Sequence, residues 1–252
     1  MKEIDLMKEK GFKYGVQITA TIIIAAAVII SSGMLSKFFI KIRKEKNLSV
    51  KGYAEQIVNS DVAKFYINVR ARGANLEDMY ARLQLSKDKI IAKLLHMGFK
   101  EEEITLGSIC HESVYKKNDK GIDTNEFLYL SGNRSIEVVT KQVELVSAKY
   151  RQLDVLLSDG VDMSTGTPEY FISNLDRYKL VLLKKATANG LERAKVLAEN
   201  SNGQIGRLLE ARQGIIQITS PYSTETSYGG VYDTESLEKS IKVVVTLEYL
   251  LE

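Results

Sequence analysis

Tryptophan is absent from this chain, cysteine occurs once, histidine twice and proline twice in 252 residues. A lone Cys110 excludes an internal disulfide and any cysteine-rich metal site. The scarcity of thiols suits an envelope protein without disulfides as well as a cytosolic one. Sequence motifs for phosphate or dinucleotide binding (G-x-x-x-x-G-K-S/T and G-x-G-x-x-G) do not occur, nor does the nucleophile elbow G-x-S-x-G. The glycines of "NGQIGRLLEARQGI" follow a helical pattern instead of opening one, which is the wrong context for cradling a phosphate. An excess of one charge is also missing from most of the chain. Residues 1–46 hold nine Lys/Arg against four Asp/Glu, while the remainder holds 26 against 28. The net charge of +3 therefore belongs to the N-terminus, and the near-neutral bulk argues against a nucleic-acid partner.

The chain does have one long apolar run. Residues 16–35, "VQITATIIIAAAVIISSGML", carry no charge and are flanked by Lys8, Lys10 and Lys13 before, and Lys37, Lys41, Arg43, Lys44 and Lys46 after. About 20 helical residues span a hydrocarbon core of about 30 Å. A cleaved signal peptide has an apolar region of about 7–15 residues and a small-x-small cleavage site. The run here is longer, and "SSGMLSKFF" is a poor cleavage site, so an uncleaved anchor is expected over 16–36. It would leave residues 1–15 ahead of the membrane, a linker at 37–47 and a folded domain over 48–252. The flanking Lys/Arg counts by themselves lean towards a cytoplasmic C-terminal domain.

The folded part shows strand and helix periods in alternation. "VKGYAEQIVNSDVAKFYINVRARG" is expected to form a hairpin turning at Asn59-Ser60-Asp61. Ala63, Phe65, Ile67, Val69 and Ala71 recur with period two and mark a buried face. Asn75 is a candidate N-cap with Asp78 as its box-like partner. Leu76, Met79, Tyr80, Leu83, Ile90, Ile91 and Leu94 form a helical stripe that stops at Gly98. Residues 104–117 and 125–141 form a long hairpin with "NDKG" at its tip. A helix at 143–158, a short strand in "PEYFIS" and a long helix, "DRYKLVLLKKATANGLERAKVLAENS", follow. Leu180, Leu183, Ala186, Gly190, Ala194, Leu197 and Ala198 stripe that long helix. Gly190 costs about 1 kcal/mol inside a helix, so a close approach to a sheet is expected there. Strands near 207–218 and 239–250 close the chain. The expected fold class is α+β, a mostly antiparallel sheet with about three helices packed on it, following a transmembrane helix.

Chemistry-bearing residues are few. Cys110 and His111 are adjacent on a strand, point to opposite faces and do not pair; a half-buried Cys and an exposed His are expected. His96 ends a helix, where it meets free carbonyls. Glu101–Glu103 lack the ligand spacing of a calcium loop and read as a solvated charge run. No catalytic residue, metal or cofactor is implied. The polar stretch "SPYSTETSYGGVYD" between the last two strands is the place for a ligand or partner to touch, with Tyr222, Tyr228 and Tyr232 able to stack on a sugar or peptide.

Three segments in order resemble the SIMPL domain family of bacterial envelope proteins. They are "LSVKGYAEQIVNSDVAKFYINVRARG", "LERAKVLAENSNGQIGRLLEARQGIIQIT" and "YDTESLEKSIKVVVTLEYLL", the last placing Asp233, Ser236 and Lys239 before the final strand. The resemblance spans roughly 48–251. It implies an extracytoplasmic domain, periplasmic in a Gram-negative cell, behind an N-terminal signal or anchor, and so residues 1–15 on the cytoplasmic side. Similar proteins include a periplasmic immunogenic protein that forms a ring-like or channel-like homo-oligomer, and relatives linked to oxidative-stress defence. A non-enzymatic domain is therefore expected, held on the inner membrane by its N-terminal helix. It would self-associate or bind envelope proteins in support of envelope integrity or stress defence. The alternatives are a ligand-binding or enzymatic domain using 219–234 and, with opposite topology, a cytoplasmic adaptor.

Overall fold

The computed structural model describes residues 26–33 and 46–252. Residues 26–33 (α1) are helical and exposed. They are the described part of the expected anchor; the rest of 16–36, residues 1–15 and the linker up to residue 45 lie outside the described residues. No helix among the described residues is long and apolar enough to cross a membrane.

The elements run β1 (Lys46–Asn59), β2 (Val62–Gly73), α2 (Leu76–Met97), β3 (Ile104–Lys117), β4 (Asp123–Thr140) and α3 (Val143–Lys149). Then come α4 (Val155–Ser158), β5 (Met163–Thr165), β6 (Glu169–Phe171), α5 (Leu175–Asn200), β7 (Ile205–Gln213), β8 (Gln217–Thr219) and β9 (Glu238–Leu251). The class is α+β with antiparallel pairing in each registered ladder. One sheet has the order β3-β4-β2-β5 with β6 also on β2, and the other has β1-β9-β7 with β8 on β9. The chain forms two compact units. The smaller gathers residues up to Gly52 with Gly190–Arg212 and Thr246–Glu252; the larger holds Tyr53–Asn189 and Gln213–Val245.

In the larger unit, Ala63, Phe65, Ile67 and Val69 are fully buried, as the period-two pattern requires. They meet Ile136 and Val138 of β4 and a stripe on α2 formed by Met79, Leu83, Ile90, Leu94 and Met97. Leu76 and Tyr80 were expected on that stripe but are half exposed. The helix ends behave as anticipated. Asn75 accepts the Asp78 N–H at 2.9 Å, Asp78 in turn accepts the Ala74 N–H at 3.1 Å, and Gly98 takes φ +108°. At the "NDKG" tip, the Asn118 side chain accepts the N–H groups of Lys120 and Ile122, and Gly121 has φ +76°.

Four expectations are corrected. β1 and β2 are not a hairpin: they belong to different sheets. A two-residue hairpin turn needs left-handed backbone, and neither Ser60 nor Asp61 adopts it. Instead the Ser60 N–H bonds Leu237 and the Asp61 N–H bonds Phe171, both at 2.9 Å. The expected helix at 143–158 is α3 and α4 separated by a 3₁₀ segment, Tyr150–Asp154, that buries Leu153. The expected strand at 207–218 breaks into β7 and β8, the gap falling at Gly214, where a Cβ would sit 3.2 Å from the Val244 carbonyl. Cys110 is exposed, not half buried. β5 is a strand that composition does not announce.

In the smaller unit the expected close approach at Gly190 is present. A Cβ there would lie 2.7 Å from the Leu247 side chain and 3.2 Å from the Gly52 Cα. Arg193 donates to the Lys51 carbonyl at 3.1 Å, and Gln204 and Glu252 exchange backbone hydrogen bonds. β9 alternates as expected, with Leu247 and Tyr249 buried in this unit and Ile241, Val243 and Val245 buried in the larger one.

Candidate functional site

The polar segment at 220–237 connects β8 to β9 as anticipated, but it is strapped down. Ile218 donates to the Val231 carbonyl at 2.8 Å and accepts from Asp233 at 2.9 Å, so Tyr232 bridges alongside β8 in parallel. The Gln217 side chain bonds both arms of the loop, donating to the Ser227 carbonyl at 2.9 Å and accepting the Val231 N–H at 2.7 Å. The Thr234 carbonyl accepts from Tyr170 at 2.7 Å. A side-chain amide satisfying two backbone groups does the work that a second strand would do.

Beneath the loop lies a polar cluster. Lys239 is fully buried and donates to the carbonyls of Asp233 at 2.5 Å and Ser236 at 2.8 Å. Burial pushes its ammonium pKa down, opposed by the charge of Asp233. Burial also pushes the Asp233 carboxyl up. Hydrogen bonds from Ser236 and the Glu235 backbone, and the Lys239 charge, outweigh that and hold it below the usual range. One oxygen, Oδ2 of Asp233, is buried without a hydrogen-bond partner. Next to this pair, Glu55 accepts from the Ser240 hydroxyl and the Tyr53 hydroxyl, and these hydrogen bonds lower its pKa. The Tyr53 phenol is pushed up to about 12 by burial and by its Glu55 partner. Lys242 donates to the Ser223 carbonyl and lies 4.0 Å from Glu55. Lys239, Glu55 and Lys242 are each held by structural partners, while Oδ2 of Asp233 is not. The cluster can lock the loop to β1 and β9.

The three tyrosines singled out from the sequence are on this loop, and the structure does not bring them into one cage. Tyr222 and Tyr228 are 92% and 102% exposed. Tyr222 has φ +63°, a left-handed backbone that aromatic residues rarely take, and it borders a cleft with Glu55, Ile57, Ser223 and Lys242. Tyr232 is 45% exposed, with its ring 6.4 Å from that of Phe171. It edges an apolar cleft with Ile215, Ile216 and Lys179, and a polar one with Ser220, Asp233 and Glu235. Tyr228 lines none of these three clefts.

Elsewhere, Cys110 and His111 stand opposite Asn133 and Gly132 on β4, so they are neighbours in the chain without being partners. Glu103 is structural: it accepts from the Lys100 N–H, the Thr140 hydroxyl and the Gln142 amide. Among the described residues no group of three or more His, Cys, Asp and Glu is placed to hold a metal ion. Sequence reading singled out Asp233, Ser236 and Lys239 only through resemblance. Glu55, Ser240 and Lys242 went unnoticed, although a Lys followed by Ser at the head of an otherwise apolar strand was a signal available in "EKSIKVVV".

No curated protein matches the chain. Residues 48–249 match the family model SIMPL, described as a protein of unknown function (DUF541), and the chain belongs to that family.

Proposed function

We propose that this SIMPL protein is a membrane-tethered, extracytoplasmic, non-enzymatic domain that assembles with copies of itself and supports envelope integrity or stress defence. The observation that carries the reading is the far end of the β3–β4 hairpin. β2 pairs with β4 only from Leu130 to Thr140, so the outer part of the hairpin is a two-stranded ribbon. Such a ribbon is marginal in water by itself, yet this one exposes Tyr115, Ile122, Phe127 and Leu128, at 40%, 61%, 44% and 47%. β3 is also an edge strand, but register shifts near Leu106, Val114 and Tyr115 break its free edge. Bulges protect edges against strand pairing, which favours contact through the ribbon's side chains over sheet extension.

The charge-free run at 16–35 supports the tether, and the structural hydrogen bonds that hold Lys239 and Glu55 support a role without catalysis. The test is sedimentation velocity of the full chain in nonionic detergent at micromolar concentration. The expected result is an oligomer that Tyr115→Asp with Phe127→Asp converts to monomer; a wild-type monomer removes the reading. A C-terminal reporter active only in the cytoplasm overturns the topology.

A second reading, a binding loop at 219–234, is favoured by the left-handed backbone and full exposure of Tyr222. Deleting 223–231 without effect on any ligand screen or envelope phenotype removes it.

A further inference from the structure

Four cations border a cleft of about 540 Å³ in the larger unit. Arg70 and Arg72 come from the end of β2, and Arg82 and Lys89 from the flank of α2. The opposite rim is Gly160 and Asp162. β2 leaves this space open because its second neighbour stops early. β5 pairs only with Ile67–Val69, and Arg70 donates to the Asp162 carbonyl at 2.8 Å. From Ala71 to Gly73, β2 has β4 on one side only.

The hydrogen bonds already made leave the cleft rich in donors. Arg70 pairs with Asp162 at 3.2 Å. Arg82 uses Nε on Asp78 at 2.7 Å, which keeps its terminal nitrogens free of that partner. Lys89 donates to the Asp159 carbonyl at 3.1 Å and has two further N–H groups. Arg72 lies with its guanidinium carbon 5.1 Å from the Tyr129 ring centre, and among the described residues it has no ion pair. Stacking fixes the plane of a guanidinium while leaving its edge, with five donors, unspent. Four cations thus share the cleft with one carboxylate, Asp162, which pairs with Arg70; Asp78, the partner of Arg82, does not line it. An ordinary solvated face disperses its charges and pairs them along the surface. Here four of them border one concavity at the open edge of β2, and one of the four is a stacked arginine.

We propose that this cleft binds a phosphate group, presented either by a free phosphate anion or by the headgroup of an anionic lipid. Arginine's planar fork matches phosphate oxygens in pairs, and Lys89 adds a point charge. The cleft is open enough for a phosphate carried on a larger body.

The experiment uses the full chain in nonionic detergent. Isothermal titration calorimetry with inorganic pyrophosphate tests the free source. Mixed micelles containing short-chain phosphatidic acid, against micelles containing phosphatidylcholine, test the lipid source. Saturable binding of pyrophosphate, of phosphatidic acid or of both is the expected result, with phosphatidylcholine silent. Arg72→Ala with Arg82→Ala weakens it at least about tenfold, the scale of losing two charge-assisted contacts. Arg72→Glu alone does the same and leaves the α2 ion pair intact, which keeps the test valid if the double variant fails to fold. Lys184→Ala with Lys185→Ala, removing equal charge from α5, leaves affinity within about twofold. Failure of both probes to saturate, Arg72→Glu binding like the wild type, or equal weakening by the α5 variant overturns the proposal.

Discussion

The two long helices bury opposite kinds of surface. α2 turns large side chains inward, Met79, Leu83, Ile90, Leu94 and Met97, and its polar residues face water. α5 buries Leu182, Ala186, Gly190, Ala194 and Ala198, spaced four apart, and leaves Leu180, Val181, Leu191, Val196 and Leu197 between 37% and 62% exposed. Large side chains fill the space between α2 and its sheet, whereas at Gly190 the α5 backbone closes directly on Gly52 and the Leu247 side chain. Apolar periodicity announces a helix in both cases. It identifies the buried face only where the large residues are the ones that pack. Those outward leucines and valines leave apolar side chains exposed on α5.

This contrast can be broken by substitution. Leu94→Ala in α2 removes a fully buried side chain from the core and is expected to cost about 2–5 kcal/mol in chemical denaturation. Gly190→Ala in α5 is the sharper test. Helix propensity favours alanine by about 1 kcal/mol, yet the new methyl would press on Leu247 and Gly52, for a net loss of about 1–3 kcal/mol. If Gly190→Ala stabilises the protein, the close-contact account of α5 is wrong. Asn75→Ala, which removes the α2 cap, is expected to cost about 1 kcal/mol, read from the same denaturation midpoints.

A pH experiment probes how α5 is entered. Asp61 accepts the N–H and the hydroxyl of Ser173, two residues before the helix, at 2.6 and 2.5 Å. Burial pushes the Asp61 carboxyl up, but these hydrogen bonds outweigh it and hold the pKa below the ordinary 3.8. The folded form therefore binds the proton less readily than the unfolded chain. The stabilisation is present above the unfolded pKa and disappears as pH falls through the folded one. Asp61→Asn should lower stability near pH 7, where the carboxylate's contribution is fully present, and leave a flatter acid limb below about pH 4. The smallest expected effect on folding is at the outward face. Leu180→Ser with Leu197→Ser should change stability by no more than about 0.5 kcal/mol per site, while reducing the sedimentation coefficient of any assembly that uses that face.

Legibility followed the range of the interactions. The β2 alternation, the Asn75 cap, the Gly98 stop and the "NDKG" tip were readable because each rests on neighbours within a few residues. The β1–β2 hairpin was misread for the same reason. Local turn residues at Asn59–Asp61 suggested a reversal, while the real partners of that corner, Leu237 and Phe171, are more than 100 residues away. The 219–234 loop was legible as a connection and as the home of three tyrosines. Its strapping by Gln217, and the Asp233–Lys239 and Glu55–Ser240 pairs beneath it, depend on contacts as distant as 185 residues.

By itself the sequence determined the α+β class, the family, most element positions and the charge-free N-terminal run, because composition and short-range period carry those. Tertiary structure decided which strands share a sheet, which face of α5 is buried and that Lys239 is sealed beneath its loop. It also decided that Arg70, Arg72, Arg82 and Lys89 meet in one cleft. Those outcomes depend on how close two backbones come and on where a neighbouring strand ends. No stretch of residues encodes either separately from the chain that packs against it.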